Sequence, residues 1–162
     1  MVDRQLLNKV SDELKQRHLT IATAESCTGG LIAHTLTNVT GSSEYFERGI
    51  VSYSNTSKKE LLNVPETILQ QYGAVSQHTA EAMAQGIKKQ AKVDFGLATT
   101  GIAGPTGGTK DKPVGLVYIS IATPQKVLVK KYQFTGDRLS IKEQTCTAAL
   151  TFLLETLQDF KG

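Results

Sequence analysis

The residues best suited to chemistry lie in the run Thr20 to Gly30, Thr-Ile-Ala-Thr-Ala-Glu-Ser-Cys-Thr-Gly-Gly. It places a serine and a cysteine where an apolar strand gives way to a glycine-opened helix. Such a turn holds a side chain clear of the backbone, and the free amides of the first helical turn face any oxyanion or phosphate placed beside them. Ser26 is the leading nucleophile. The run is not the Gly-x-Ser-x-Gly of a nucleophile elbow. Serine is also among the best N-cap residues, so capping a helix that begins near Thr28 would account for Ser26 without any chemistry. Cys27 is either an alternative nucleophile or a small buried hydrophobe.

A lysine bears on this choice. Asn55 reads as the N-cap of a later helix, which puts Lys58 at the third helical position. There the positive end of the helix dipole disfavours an ammonium by roughly 0.3–1 kcal/mol. Such a lysine is either solvated or kept neutral. To act as a general base near neutrality its pKa must fall from about 10.4 to about 7–8, roughly 4 kcal/mol of differential interaction, so burial must supply most of the shift. A lysine so treated activates a serine. The histidines offer less: His18 follows the first helix, His34 lies within a helix and His78 opens another, with no His-x-x-x-His spacing. A Ser-His-Asp triad is therefore disfavoured, and no metal site is expected.

The stretch Gly101 to Pro113, Gly-Ile-Ala-Gly-Pro-Thr-Gly-Gly-Thr-Lys-Asp-Lys-Pro, has no periodicity and holds four of the chain's 14 glycines. It matches neither a P-loop nor Gly-x-Gly-x-x-Gly. Either its amides and hydroxyls cradle a phosphate or ribose, or it is a mobile surface loop.

These residues must be positioned by alternating elements. Asp3 to Arg17 is amphipathic through Leu6, Leu7, Val10 and Leu14, with Asp3 as cap. Strand Thr20–Ala24, helix Leu31–Val39 and strand Arg48–Ser54 follow. A short helical stretch runs from Pro65 to Tyr72, and Ser76 caps a helix whose apolar face is Ala80, Met83, Ala84, Ile87 and Ala91. Then come strand Asp94–Thr99, the glycine-rich loop, strands Val114–Ala122 and Lys126–Phe134, and a final helix Leu139–Phe160 burying Cys146, Ala149, Leu150, Leu153, Leu157 and Phe160. The pattern predicts an α/β fold: a three-layer α/β/α sandwich with a mixed, mostly parallel sheet and a late antiparallel hairpin. Ligands of such sheets gather beyond the carboxyl ends of parallel strands, where Ser26, Tyr53 and Thr100 would meet.

The whole chain narrows the class. Its 162 residues suit one domain, and a net charge of +3 without clustered basic residues argues against nucleic acid as partner. Cys27 and Cys146 form no ligand or disulfide spacing, which points to a reducing compartment. The N-terminus carries no apolar signal core and no apolar run is long enough to span a membrane, so a cytoplasmic protein without membrane partner is expected. Small α/β proteins of this kind are often symmetric dimers, and a homodimer is expected here.

Six motifs in order, Ala24-Glu25-Ser26-Cys27-Thr28-Gly29-Gly30, Tyr53-Ser54-Asn55-Thr56-Ser57-Lys58, Gly73-Ala74-Val75-Ser76, Thr100-Gly101-Ile102-Ala103-Gly104-Pro105, Lys112-Pro113-Val114-Gly115 and Gly136-Asp137-Arg138, span nearly the entire chain. Together they closely resemble the CinA C-terminal domain family, the nicotinamide mononucleotide deamidases. The resemblance implies hydrolysis of the carboxamide of nicotinamide mononucleotide to nicotinic acid mononucleotide and ammonia, in pyridine nucleotide salvage. It implies no metal or organic cofactor. It further implies a serine/lysine dyad, Ser26 as nucleophile and Lys58 as base, with Tyr53 as an orienting hydroxyl. On that reading the turn Cys27, Thr28, Gly29 and Gly30 holds the oxyanion, Thr100, Gly101 and Gly104 contact the ribose or phosphate, and Arg138 either meets the phosphate charge or is an exposed residue at the start of the last helix. Larger members carry an N-terminal domain similar to molybdopterin-binding proteins, which this chain is expected to lack. The rival readings are an interaction protein of the competence or DNA-damage response, and a nucleotide-binding regulator without turnover.

Overall fold

In the computed structural model, which describes residues 1–162, the elements run α1 (Arg4–Gln16), β1 (Ile21–Glu25), α2 (Leu31–Leu36), β2 (Phe46–Val51), α3 (Asn55–Leu62), α4 (Glu66–Tyr72), α5 (Gln77–Ala91), β3 (Phe95–Gly101), β4 (Leu116–Ala122), β5 (Val127–Gln133) and α6 (Arg138–Asp159). The five strands form one sheet in the order β2-β1-β3-β4-β5. Strands β2, β1 and β3 are mutually parallel, and β4 and β5 add an antiparallel hairpin. The chain is thus the expected α/β sandwich, with half of its strand pairings parallel.

The two faces of the sheet differ in side-chain size. Alternation sends Ile21, Phe95, Leu97, Val117, Ile119 and Ile121 into the larger core beneath α1, α2 and α6. The opposite face is built from Ala22, Ala24, Ala98 and Ala122, so α5 sits close to the backbone, and α3 packs on α5. Gly86 of α5 carries the contact further, because a methyl group there would stand 2.0 Å from the Leu62 carbonyl oxygen. The absence of a side chain lets α5 press α3 onto the end of the sheet. Since Ala22 and Ala24 face this layer, period-two alternation turns Ser26 toward α3 as well.

Element boundaries depart from the sequence expectations at the places that matter for function. Strand β1 continues through Glu25, and α2 starts at Leu31 with Gly30 as its cap and ends at Leu36. Ser26 therefore caps no helix. The N-terminal turn of α2 is satisfied by Glu25, a buried carboxylate that accepts from the amides of Ile32 (2.9 Å) and Ala33 (3.0 Å) and from the Thr28 hydroxyl. An acid ending a strand thus does the work expected of the serine next to it. Strand β2 stops at Val51 because Ser52 to Ser54 peel away to start α3. Its cap is Ser54, in a reciprocal capping box with Ser57, rather than Asn55. Lys58 consequently occupies the fourth helical position, where its amide already bonds the Ser54 carbonyl.

Glu25→Ala leaves the buried Ile32 amide and the part-buried Ala33 amide without their acceptor and the Thr28 hydroxyl with Thr99 alone, and we expect a loss on the order of 1–3 kcal/mol in denaturant unfolding. Glu25→Gln retains one acceptor oxygen but turns an N–H toward a donor, so its loss should be intermediate. Equal stability of all three proteins would show that the carboxylate does not hold the turn.

Candidate active site

The turn after β1 and the start of α3 meet at the carboxyl edge of the sheet. Ser52 lies beside the end of β1, its amide bonded to the Glu25 carbonyl at 2.8 Å. This pairing brings the segment leading into α3 across the Ser26 turn. Lys58, 32 positions away from Ser26 in sequence, places its Nζ 3.2 Å from the Ser26 Oγ. The same nitrogen donates to the carbonyls of Ser52 (2.9 Å) and Tyr53 (3.3 Å). Lys58 is 1% exposed and Ser26 8% exposed.

This arrangement suits either protonation state of the lysine. An ammonium has three N–H groups for three acceptors. A neutral amine donates twice to the carbonyls and turns its lone pair to the Ser26 hydroxyl, which then donates. No carboxylate pairs with Lys58: the ion pairs of the chain all involve other residues. Burial lowers the Lys58 pKa below the usual lysine value, and a negative charge on Cys27 would oppose that shift. Cys27 does not supply the charge, because its own burial pushes the thiol up to about 12. Burial is therefore the main source of the lysine's shift. Cys27 is a buried, protonated thiol at neutral pH, which argues against the alternative nucleophile.

The backbone of the turn provides donors, though not those expected. The first-turn amides of α2 at Ile32 and Ala33 are consumed by Glu25. The Gly29 amide is taken by the Ser26 carbonyl. Those of Cys27, Thr28 and Gly30 donate to no oxygen of the chain. Left-handed backbone at Gly29 (φ 62°) and Gly30 (φ 103°) sets their direction. The Thr28 side chain is committed to Glu25 and Thr99.

Other expected site residues have structural partners. The Thr100 hydroxyl donates to the Ala74 carbonyl at 2.7 Å and is buried, tying β3 to the segment after α4 rather than offering itself to a ligand. Gly101 ends β3 against Val117, leaving no room for a side chain. Gly104 turns its carbonyl to Arg138, whose Nη1 donates to it at 2.7 Å, while Nη2 donates to the Tyr53 hydroxyl at 2.7 Å. Tyr53 thus presents its carbonyl, not its hydroxyl, to Lys58. Tyr53 is 60% exposed, and its side chain joins Arg138 as a wall beside the turn. The glycine-rich loop is anchored, with Lys112 donating to the Tyr72 carbonyl at 2.6 Å.

The histidines take no part: His34 bonds Asn38 and His78 stacks on Tyr72 with ring centroids 3.6 Å apart. No three His, Cys, Asp or Glu side chains converge on a point where a metal ion would be held. No helix is long and apolar enough to cross a membrane. Sequence reasoning passed over Glu25. Its signal was an acid at the end of a strand otherwise buried on both faces.

Known proteins share this arrangement of chain. The CinA C-terminal domain profile matches residues 3–157. A CinA-like protein of Syntrophus aciditrophicus is 53% identical over 152 residues, 93% of this chain but 36% of its own length. The chain spans about two fifths or less of the curated relatives it matches. Among solved structures, the competence/damage inducible protein CihA from Agrobacterium tumefaciens superposes with a TM-score of 0.92 at 36% identity, covering 98% of this chain and 99% of that one. The competence damage-inducible protein A (ComA) from Klebsiella pneumoniae does so with a TM-score of 0.94 at 30% identity, covering 97% and 98%. With nearly its whole length matched by the profile and its fold shared by these structures, the chain belongs to the CinA C-terminal domain family.

Proposed function

We propose that this protein is an amidohydrolase that deamidates nicotinamide mononucleotide through Ser26 and Lys58. The observation that carries the reading is the buried Lys58 Nζ at 3.2 Å from the Ser26 Oγ, without a carboxylate to hold it charged. The nucleotide itself comes from the family resemblance.

In the resting site Lys58 is neutral and accepts the Ser26 hydroxyl. As the Ser26 oxygen attacks the carboxamide carbon, its proton passes to Lys58, and the amides of Cys27, Thr28 and Gly30 receive the oxyanion. Collapse breaks the C–N bond, and the Lys58 ammonium gives its proton to the departing nitrogen, which leaves as ammonia. Water then attacks the Ser26 ester, losing a proton to Lys58, which returns it to the serine oxygen as the acid departs. The carbonyls of Ser52 and Tyr53 keep the amine aimed throughout.

Ser26→Ala should lower ammonia release from nicotinamide mononucleotide by at least about a thousandfold, and Lys58→Met by about a hundredfold or more. Cys27→Ala should stay near the parent rate. Rapid quenching and peptide mapping should place the acyl group on Ser26. An adduct on Cys27, or an active Ser26→Ala protein, would remove the dyad. Nucleotide binding without ammonia release between pH 6 and 9 would favour the regulator instead.

The same lysine should cost stability. The folded protein binds the Lys58 proton more weakly than the unfolded chain, so the penalty is full below the folded pKa and fades as pH rises toward the ordinary lysine range. Lys58→Met should therefore melt at or above the parent, by a margin that narrows as pH rises. A variant that melts well below the parent at every pH would mean that Lys58 serves the fold.

A further inference from the structure

One cation near the Ser26 turn has no partner. Lys142 lies one helical turn after Arg138 on α6, so both side chains emerge on the same face. A methyl group placed on Gly29 would stand 3.4 Å from the Lys142 Nζ, which puts this ammonium directly against the turn that follows the serine. Lys142 is half-buried, yet no carboxylate lies within ion-pair distance of it and no hydrogen bond engages it.

The acids around it are committed elsewhere. Glu143 pairs with the N-terminal ammonium, the Asp137 carboxylate accepts the Ser140 amide, and Glu25 is enclosed by Ile32, Ala33 and Thr28. Arg138 is positively charged as well, but its guanidinium is braced between the Gly104 carbonyl and the Tyr53 hydroxyl. Two like charges one turn apart repel one another, and an anion between them relieves the repulsion. The amides of Thr28 and Gly30, free of acceptors in the chain, flank the residue that Lys142 touches.

We infer that Lys142 binds the phosphate of the substrate and sets the preference for a nucleotide over the corresponding nucleoside. This assignment rests on the nucleotide reading proposed above. It moves the phosphate contact away from Thr100 and Gly101, whose polar or backbone groups are used within the fold, and makes Arg138 a fixed wall beside it. A phosphate monoester carries close to two negative charges at neutral pH and offers several acceptor oxygens, matching an ammonium with three free N–H groups.

The test compares nicotinamide mononucleotide with nicotinamide riboside, which lacks the phosphate, on the parent, Lys142→Ala and Lys142→Arg. Ammonia release should give a ratio of kcat/KM between the two substrates that collapses by about tenfold to a hundredfold in Lys142→Ala, through KM of the mononucleotide. Lys142→Arg, which keeps the charge, should restore most of the ratio. An unchanged ratio overturns the assignment. So does an equal fall on both substrates through kcat, which would place the ammonium at the oxyanion or in the fold. If the parent releases no ammonia from either compound, the deamidase reading fails and calorimetric binding decides Lys142 separately. Tighter binding of the mononucleotide than of the riboside, lost in Lys142→Ala, then supports the assignment, and binding that ignores the phosphate or the substitution overturns it.

Discussion

The site depends on one buried amino group. Lys58 ends in a place almost closed to water, between the carbonyls of Ser52 and Tyr53, with the Ser26 oxygen as third neighbour. A lone cation in such a place is unfavourable, and without an opposing carboxylate the environment favours the neutral amine. The same three contacts fit both protonation states, so in the proposed reaction a proton would pass between serine and lysine without either side chain having to move. Much of the local architecture serves to keep that nitrogen in position.

Two features of the sheet accomplish this. Small residues on one face, Ala22, Ala24 and Ala98, let α5 approach the strands, and Gly86 allows α5 to seat against Leu62 at the end of α3. On the other face Glu25 closes the N-terminal turn of α2, which frees Ser26 from capping and leaves the amides of Cys27, Thr28 and Gly30 without acceptors. Adjacent residues at the end of β1 thus point to opposite sides, Glu25 closing the turn of α2 and Ser26 facing Lys58 of α3. The opposition follows from the alternation of a strand.

Much of the frame was legible in the sequence, because apolar periodicity is a local property. The apolar faces of α5 and α6 and the order of strands and helices follow from spacing alone, and boundaries shifted by one to three residues at most elements. What sequence reading missed has a common cause. The Thr100 hydroxyl meets Ala74, and the Tyr53 hydroxyl meets Arg138, contacts between segments 26 and 85 residues apart that no local pattern encodes. The cap of α3 was misplaced by one residue since Ser54 and Asn55 are both good caps, and only the geometry of the Ser54–Ser57 box separates them. The one-residue difference moves Lys58 from the third to the fourth helical position and leaves burial, already expected to dominate, as the source of its lowered pKa. Lys142 gave no signal, because an isolated lysine on an amphipathic helix resembles a solvated face until the turn opposite it is known.

The most direct measurement is an NMR titration of the Lys58 side chain, observed at its ε carbon and assigned by comparison with Lys58→Met. It reports the protonation state of the buried amine without relying on any substrate. The account expects Lys58 to titrate well below the other lysines of the chain, with the Ser26 environment responding over the same pH range. A Lys58 that stays protonated up to the ordinary lysine range would contradict it, leaving Ser26 without a base.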